Sequence, residues 1–297
     1  MDLISLNETC YYFAGAVNIG YVQQGDQGML IDTGIDDSVM RKVWRQLRER
    51  ELPVTHLFIT HAHADHFGGA NFLEKRQHVH TIAPIFEAAI LENPALEPLY
   101  LFGGNDPLPE LTNKFIQGKP MRVDSVIKAG EHVVDNFSFQ TYALPGHSYQ
   151  QQALKIDGVL YAGDSYFGAE QLEKHKIPYI TDADATIHSL QELLHIICQG
   201  AVPGHGKYEE NFKDTVQINI DYHEKLLEWA KEEVYSQVEG ISHEQLITTM
   251  CNQFDVQSHQ LSQWLLHRTA VTAYLVGLIK RGEINHEIKG NRWLFKR

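Results

Sequence analysis

Residues 60–69 read THAHADHFGG, directly after the apolar run Leu57-Phe58-Ile59. His61, His63, Asp65 and His66 place four donors in six positions, and the small Ala62 and Ala64 between them leave room for an ion. Imidazole and carboxylate together suit zinc, iron or manganese. The chain has 17 histidines, so an isolated one carries no message, but the pattern H-x-H-x-D-H is read as a metal site. A catalytic ion needs further ligands from other strand ends, because one loop wrapped around it would close off the substrate position. Three candidates stand where strands run out: His147 in LPGHS, Asp164 in YAGDS and His205 in VPGHG. Each follows a glycine, which fits a tight loop that brings backbone close to an ion.

Alternating apolar segments predict the elements that carry these residues. Strands are expected over 11–13, 18–22, 29–32 and 57–60, with a helix from Asp36 or Asp37 that carries Val39, Met40, Val43 and Leu47 at helical spacing. Gly68-Gly69 is expected to turn the chain into a helix with Phe72 and Leu73. Strands resume at 126–127, 132–134, 137–144, 153–156 and 159–161, then a helix over 186–198 and a strand at 201–202. Two strand-rich halves, each followed by helices, predict an α/β fold of two sheets with helices outside, a four-layer αββα sandwich. Residues 84–122 hold six prolines and several aromatics, among them Tyr100 and Phe115, and read as an insertion that folds over the site or packs as a surface excursion. Residues 1–206 are thus expected to form the catalytic domain. Residues 207–297 follow as a mostly helical, winged-helix-like domain, with helices over 212–238, 242–252 and 258–280 and a terminal hairpin.

Composition narrows the function. With 25 basic and 38 acidic side chains, the net charge of −13 argues against a chain that coats nucleic acid. Only the tail from Arg268 is basic, with seven cations against Glu283 and Glu287, a net of 7 − 2 = 5. A solvated face or a dimer contact accounts for that better than RNA does. Cys10, Cys198 and Cys251 are too few and too far apart for a disulfide framework, and the first ten residues lack a leader pattern. A cytoplasmic protein with a small-molecule substrate and no membrane partner is the expectation; a homodimer is left open.

The series THAHADH, PGHS, AGDS and PGHG, with IDTG at 31–34, resembles the metallo-β-lactamase superfamily over roughly residues 10–206. The resemblance implies one metal at His61, His63 and His147 and a second at Asp65, His66 and His205, with Asp164 bridging. It also implies that Asp32 supports the ligand loop. Two divalent ions are expected, zinc first, with iron and manganese accepted by the same donors. The implied chemistry is hydrolysis of a small ester, thioester or lactone, with Asp65 also placed to orient or relay the proton of the attacking water. Tyr166, two positions after Asp164, is a candidate to aid the carbonyl oxygen. Two other activities occur under this resemblance: a phosphodiesterase or endoribonuclease that holds RNA with the hairpin at 283–297, and an iron oxidoreductase. The last is disfavoured because Asp65, His66 and His205 are all present.

Overall fold

A computed structural model describes residues 1–297. Strands β1 (Leu3–Ser5), β2 (Cys10–Phe13), β3 (Ile19–Gln24) and β4 (Gln27–Ile31) form an antiparallel meander. Helix α1 (Asp37–Glu49) leads to β5 (His56–Phe58), and α2 (Ala64–Phe67) and α3 (Ala70–Glu74) lead to β6 (His80–Pro84). Helices α4 (Ile85–Glu92) and α5 (Leu96–Leu101) then precede β7 (Ser125–Ile127), and β4 to β7 pair in parallel to complete a seven-stranded sheet. The second sheet has the order β12-β11-β10-β9-β8. Its strands are β8 (Gly130–Val134), β9 (Phe137–Ala143), β10 (Gln152–Ile156), β11 (Val159–Gly163) and β12 (Gly200–Pro203), with α6 (Ala169–His175) and α7 (Ala183–His195) between the last two.

Strand alternation sorts the core into layers. In β4, Met29 and Ile31 face the second sheet, where Phe137, Leu154 and Val159 meet them, while Leu30 faces outward onto Met40, Val43 and Phe72. On the far side Leu160 and Ala201 pack against Leu190, Leu193, Val216 and Ile220. The αββα order of layers is therefore present. Helix α1 starts where Asp36 accepts the backbone N–H groups of Ser38 and Val39, and its buried Met40, Val43 and Leu47 recur at helical spacing.

The last region comprises α8 (Phe212–Ser236), β13 (Ile241–Ser242), α9 (His243–Gln253), α10 (Leu261–Lys280), β14 (Asn285–Lys289) and β15 (Arg292–Lys296). The three short strands form a separate sheet, β13-β15-β14, and a capping box between Ser242 and Gln245 starts α9. Leu226, Met250, Val271 and Tyr274 share one core with Ile177, Ile180 and Ile187, so the helices of this region close onto the segment around α7. Lys280 and Arg281 at the end of α10 reach Asp182 and Asp184 at the start of α7, at 2.8 and 2.7 Å. No helix is long and apolar enough to cross a membrane.

Several expectations shift. Strand β1 is too short and too exposed to show as a pattern. The helix expected over 186–198 runs Ala183–His195, because Asp182 caps it through the N–H of Ala185. The last long helix begins at Leu261 rather than 258. Gly68 and Gly69 form the expected turn into α3, but their φ angles, −58° and −84°, suit any residue. A side chain there would collide with the backbone oxygens of Ile35 and Thr33, so close packing of the ligand loop on the preceding loop is what requires glycine.

Candidate metal centre

The ends of β5, β9, β11 and β12 open on one edge of the sandwich, and the seven candidate residues meet there. His61, His63 and His147 bring their donor atoms within 4.8 Å of one another, as do His61, His66 and Asp164, and Asp65, His66 and His205. Asp164 is central: its Oδ1 lies 3.3 Å from His66 Nε2, and its Oδ2 lies 3.4 Å from both His147 Nε2 and His205 Nε2. A Cβ on Gly204 would occupy the place of the Asp164 carboxyl, which gives that glycine its reason.

Hydrogen bonds settle which ring nitrogen carries the proton in His61, His66, His147 and His205. Carboxylate and carbonyl oxygens only accept, so the Nδ1 atoms of His66, His147 and His205 carry protons toward Asp32 (2.7 Å), Tyr179 O (2.9 Å) and Ala16 O (2.8 Å). Thr60 donates its hydroxyl to Asp32, so its oxygen accepts from His61 Nδ1 at 3.0 Å. Asp32 thus receives the Thr60 N–H, the Thr60 hydroxyl and the His66 ring, and it orients two rings of the ligand loop. The Nε2 atoms of His61, His66, His147 and His205 are thus turned toward the Asp164 carboxylate, and His147 Nε2 accepts from His63 Nδ1 at 2.9 Å. The Nε2 atoms of His61 and His66 and Oδ1 of Asp164 are buried with no partner of their own, an arrangement that a cation satisfies.

Electrostatics divide the cluster in two. Burial, reinforced by His63, holds His147 down at about 3, and burial holds His63 down at about 4. Burial also works to lower His205, but the Asp164 and Asp65 carboxylates outweigh it and push His205 up to about 10. In His66 burial is likewise outweighed, by Asp164 and Asp32 among others, and its pKa stands well above the usual value. For Asp65 burial acts upward, yet His66 and His205 hold the carboxyl low.

Other residues of the site carried no sequence signal. Buried Glu87 on α4 accepts the Ala62 N–H at 2.9 Å with one oxygen, and the Gln150 N–H at 2.9 Å and the Ser148 hydroxyl with the other. It ties the loop of His61 and His63 to the loop of His147. Asn219 on α8 both accepts from and donates to the Phe167 backbone, at 3.0 and 2.8 Å, and so fixes the segment after Asp164 from the helical region.

Beside the cluster lies a cavity of about 280 Å³. The insertion supplies Glu97, Phe115 and Ile116 to its wall, and α10 supplies Leu266 and His267. The insertion therefore folds over the site. Tyr166 does not reach this cavity: it is 1% exposed and packs its ring beside Phe212, while Phe167, the next residue, lines the wall instead.

The family model described as the metallo-beta-lactamase superfamily matches residues 12–215. The chain belongs to this superfamily. Within the superfamily it is 26% identical, over 152 residues, to the hydroxyacylglutathione hydrolase of Vibrio campbellii, which covers 51% of this chain and 47% of that protein. It is 23% identical over 207 residues to the atrochrysone carboxyl ACP thioesterase of Pseudocercospora fijiensis, covering 68% of this chain and 51% of the relative. The chain spans about half the length of these curated relatives. The crystal structure of a beta-lactamase domain protein from Burkholderia ambifaria superposes with a TM-score of 0.72 at 20% identity, covering 100% of this chain and 93% of that one. The superfamily fold with its helical C-terminal region is therefore shared along the full length.

Proposed function

We propose that this protein is a metal-dependent hydrolase of a small ester, thioester or lactone. The observation that carries the reading is the convergence of buried, unpartnered Nε2 and carboxylate atoms beside a largely apolar cavity. His61, His63 and His147 would hold one divalent ion and Asp65, His66 and His205 a second, with Asp164 reaching both; zinc fits this donor set, and iron or manganese does too. When bound, such ions polarise a carbonyl oxygen and lower the pKa of water from about 15.7 towards neutrality. Asp65 is partly open to the cavity, and its low pKa suits it to orient the attacking water. The apolar part of the cavity wall gives an acyl group a seat. A hydrolase and a thioesterase among the relatives support the same reaction class.

Elemental analysis of the purified protein, with turnover of a panel of thioesters, lactones and a bis(p-nitrophenyl) phosphate reporter, tests the reading. Near two metals per chain with ester, thioester or lactone turnover supports it. One iron and no hydrolysis overturns it in favour of redox chemistry.

The asymmetric electrostatics predict how metal loads. At pH 7 the His61, His63 and His147 group is neutral and accepts an ion without giving up protons. His66 and His205 are protonated there and must release theirs. Zinc added to metal-free protein in weak buffer is expected to release almost no proton at the first equivalent and about two at the second. Because the second site's histidines titrate above neutrality, its affinity falls as pH falls. Equal proton release at both steps would show that the sites are not divided in this way.

The RNA alternative rests on the basic tail, where Lys289, Arg292 and Arg297 of the hairpin have no carboxylate partner while the other four cations are engaged. Lys280 and Arg281 pair with Asp182 and Asp184, Lys296 pairs with Glu287, and Arg268 donates to Leu101 O. Single-stranded RNA at low salt is expected not to compete with a small ester. Competition that collapses as salt rises would restore the nuclease reading.

A further inference from the structure

The cavity holds one acid besides the candidate ligands. Glu97 on α5 is 8% exposed, its Oε2 has no hydrogen-bond partner, and it lines the cavity together with His63, Asp65 and Tyr179. No lysine or arginine is among the lining residues. A buried oxygen left unpaired costs about 1–3 kcal/mol, and an unbalanced charge costs more. Burial pushes the Glu97 carboxyl above its usual range. The neutral acid both donates and accepts a hydrogen bond. An anionic substrate group beside this carboxyl would find no lysine or arginine to balance it, and an ammonium group would require the acid to ionise against an apolar wall formed by Phe115, Ile116, Phe167 and Leu266.

Resting on the acyl-hydrolase reading above, we propose that Glu97 determines specificity by hydrogen-bonding an uncharged hydroxyl carried on the acyl part of the substrate. A site built to pair a hydroxyl discriminates against the analogue that lacks it, because the buried polar group is then left without a partner.

The test uses N-acetylcysteamine thioesters of butyrate, 2-hydroxybutyrate and 3-hydroxybutyrate on the metal-loaded full chain. The wild type is expected to favour one hydroxyacyl thioester over butyryl by about tenfold or more in kcat/KM, the scale of one well-formed hydrogen bond. Glu97→Leu is expected to erase that preference through the KM of the hydroxyacyl thioester, bringing the ratio of hydroxyacyl to butyryl kcat/KM to about one. Glu97→Gln, which keeps a donor and an acceptor, is expected to retain most of the preference. Equal turnover of all three thioesters by the wild type, or a preference that survives Glu97→Leu, overturns the proposal and leaves the hydrolase reading standing. A preference for a 4-aminobutyryl thioester that Glu97→Gln abolishes overturns it too, since Glu97 would then act as a carboxylate. No turnover of any thioester, together with none of the lactones, removes the hydrolase reading and this proposal with it.

Discussion

Replacing Asp164 with alanine is expected to reduce turnover by at least about 10³-fold, equivalent to about 4 kcal/mol of transition-state stabilisation. Its two oxygens face His66 on one side and His147 and His205 on the other. Loss of the carboxylate therefore removes the one group shared by both halves of the cluster. His147→Ala should fall as far, since it removes one of the three donors on the low-pKa side. Circular dichroism is expected to stay native-like, because neither side chain belongs to the hydrophobic layers, and elemental analysis is expected to show less metal per chain. Retained turnover in either variant would sink the dinuclear reading.

The second large effect concerns Glu87, which touches no candidate ligand's donor atom. Its two oxygens accept from Ala62 N–H, Gln150 N–H and the Ser148 hydroxyl. Glu87→Ala leaves these buried donors unpaired, at about 1–3 kcal/mol each. Even the lower bound for three donors, about 3 kcal/mol, lowers the melting temperature by about 6–12 °C, at roughly 2–4 °C per kcal/mol for domains of 150–250 residues. Metal retention against a chelator is expected to fall about 10–100-fold, as it does when groups that orient ligands are lost. Glu87→Gln should recover only part, because its amide NH₂ points a donor at a donor. Excess metal should restore turnover to Glu87→Ala but not to Asp164→Ala, which separates positioning from direct contact. Unchanged metal retention in Glu87→Ala would show that each ligand loop holds its own shape.

The seven cluster residues were legible because their signal is local. Four fall in one loop, and the other three follow glycines where apolar runs stop, so type and spacing reveal them before any packing is known. Glu87, Glu97 and Asn219 lack such a signal, since each matters only through what the fold brings beside it. Glu97 stands in the apolar stretch ENPALEPLYLF, where an acid on a mostly apolar helix is the one clue to a buried carboxyl. Tyr166 misled for a geometric reason: neighbouring residues after Asp164 point to opposite sides, so Phe167 takes the cavity and Tyr166 the outer helices. The layers were readable from alternation, whereas helix ends moved with caps such as Asp182 that a hydrophobic pattern does not mark.

Leu266 and His267 reach the cavity from a helix near the end of the chain, while the loops that gather the donor atoms finish by residue 205. Cleavage machinery and part of the substrate mould thus sit on different stretches of sequence. Substitutions at Leu266 and His267 on α10 can reshape what enters while the donor loops stay as they are, so diversification of substrate among proteins of this build is expected to concentrate there and in the segment around Glu97.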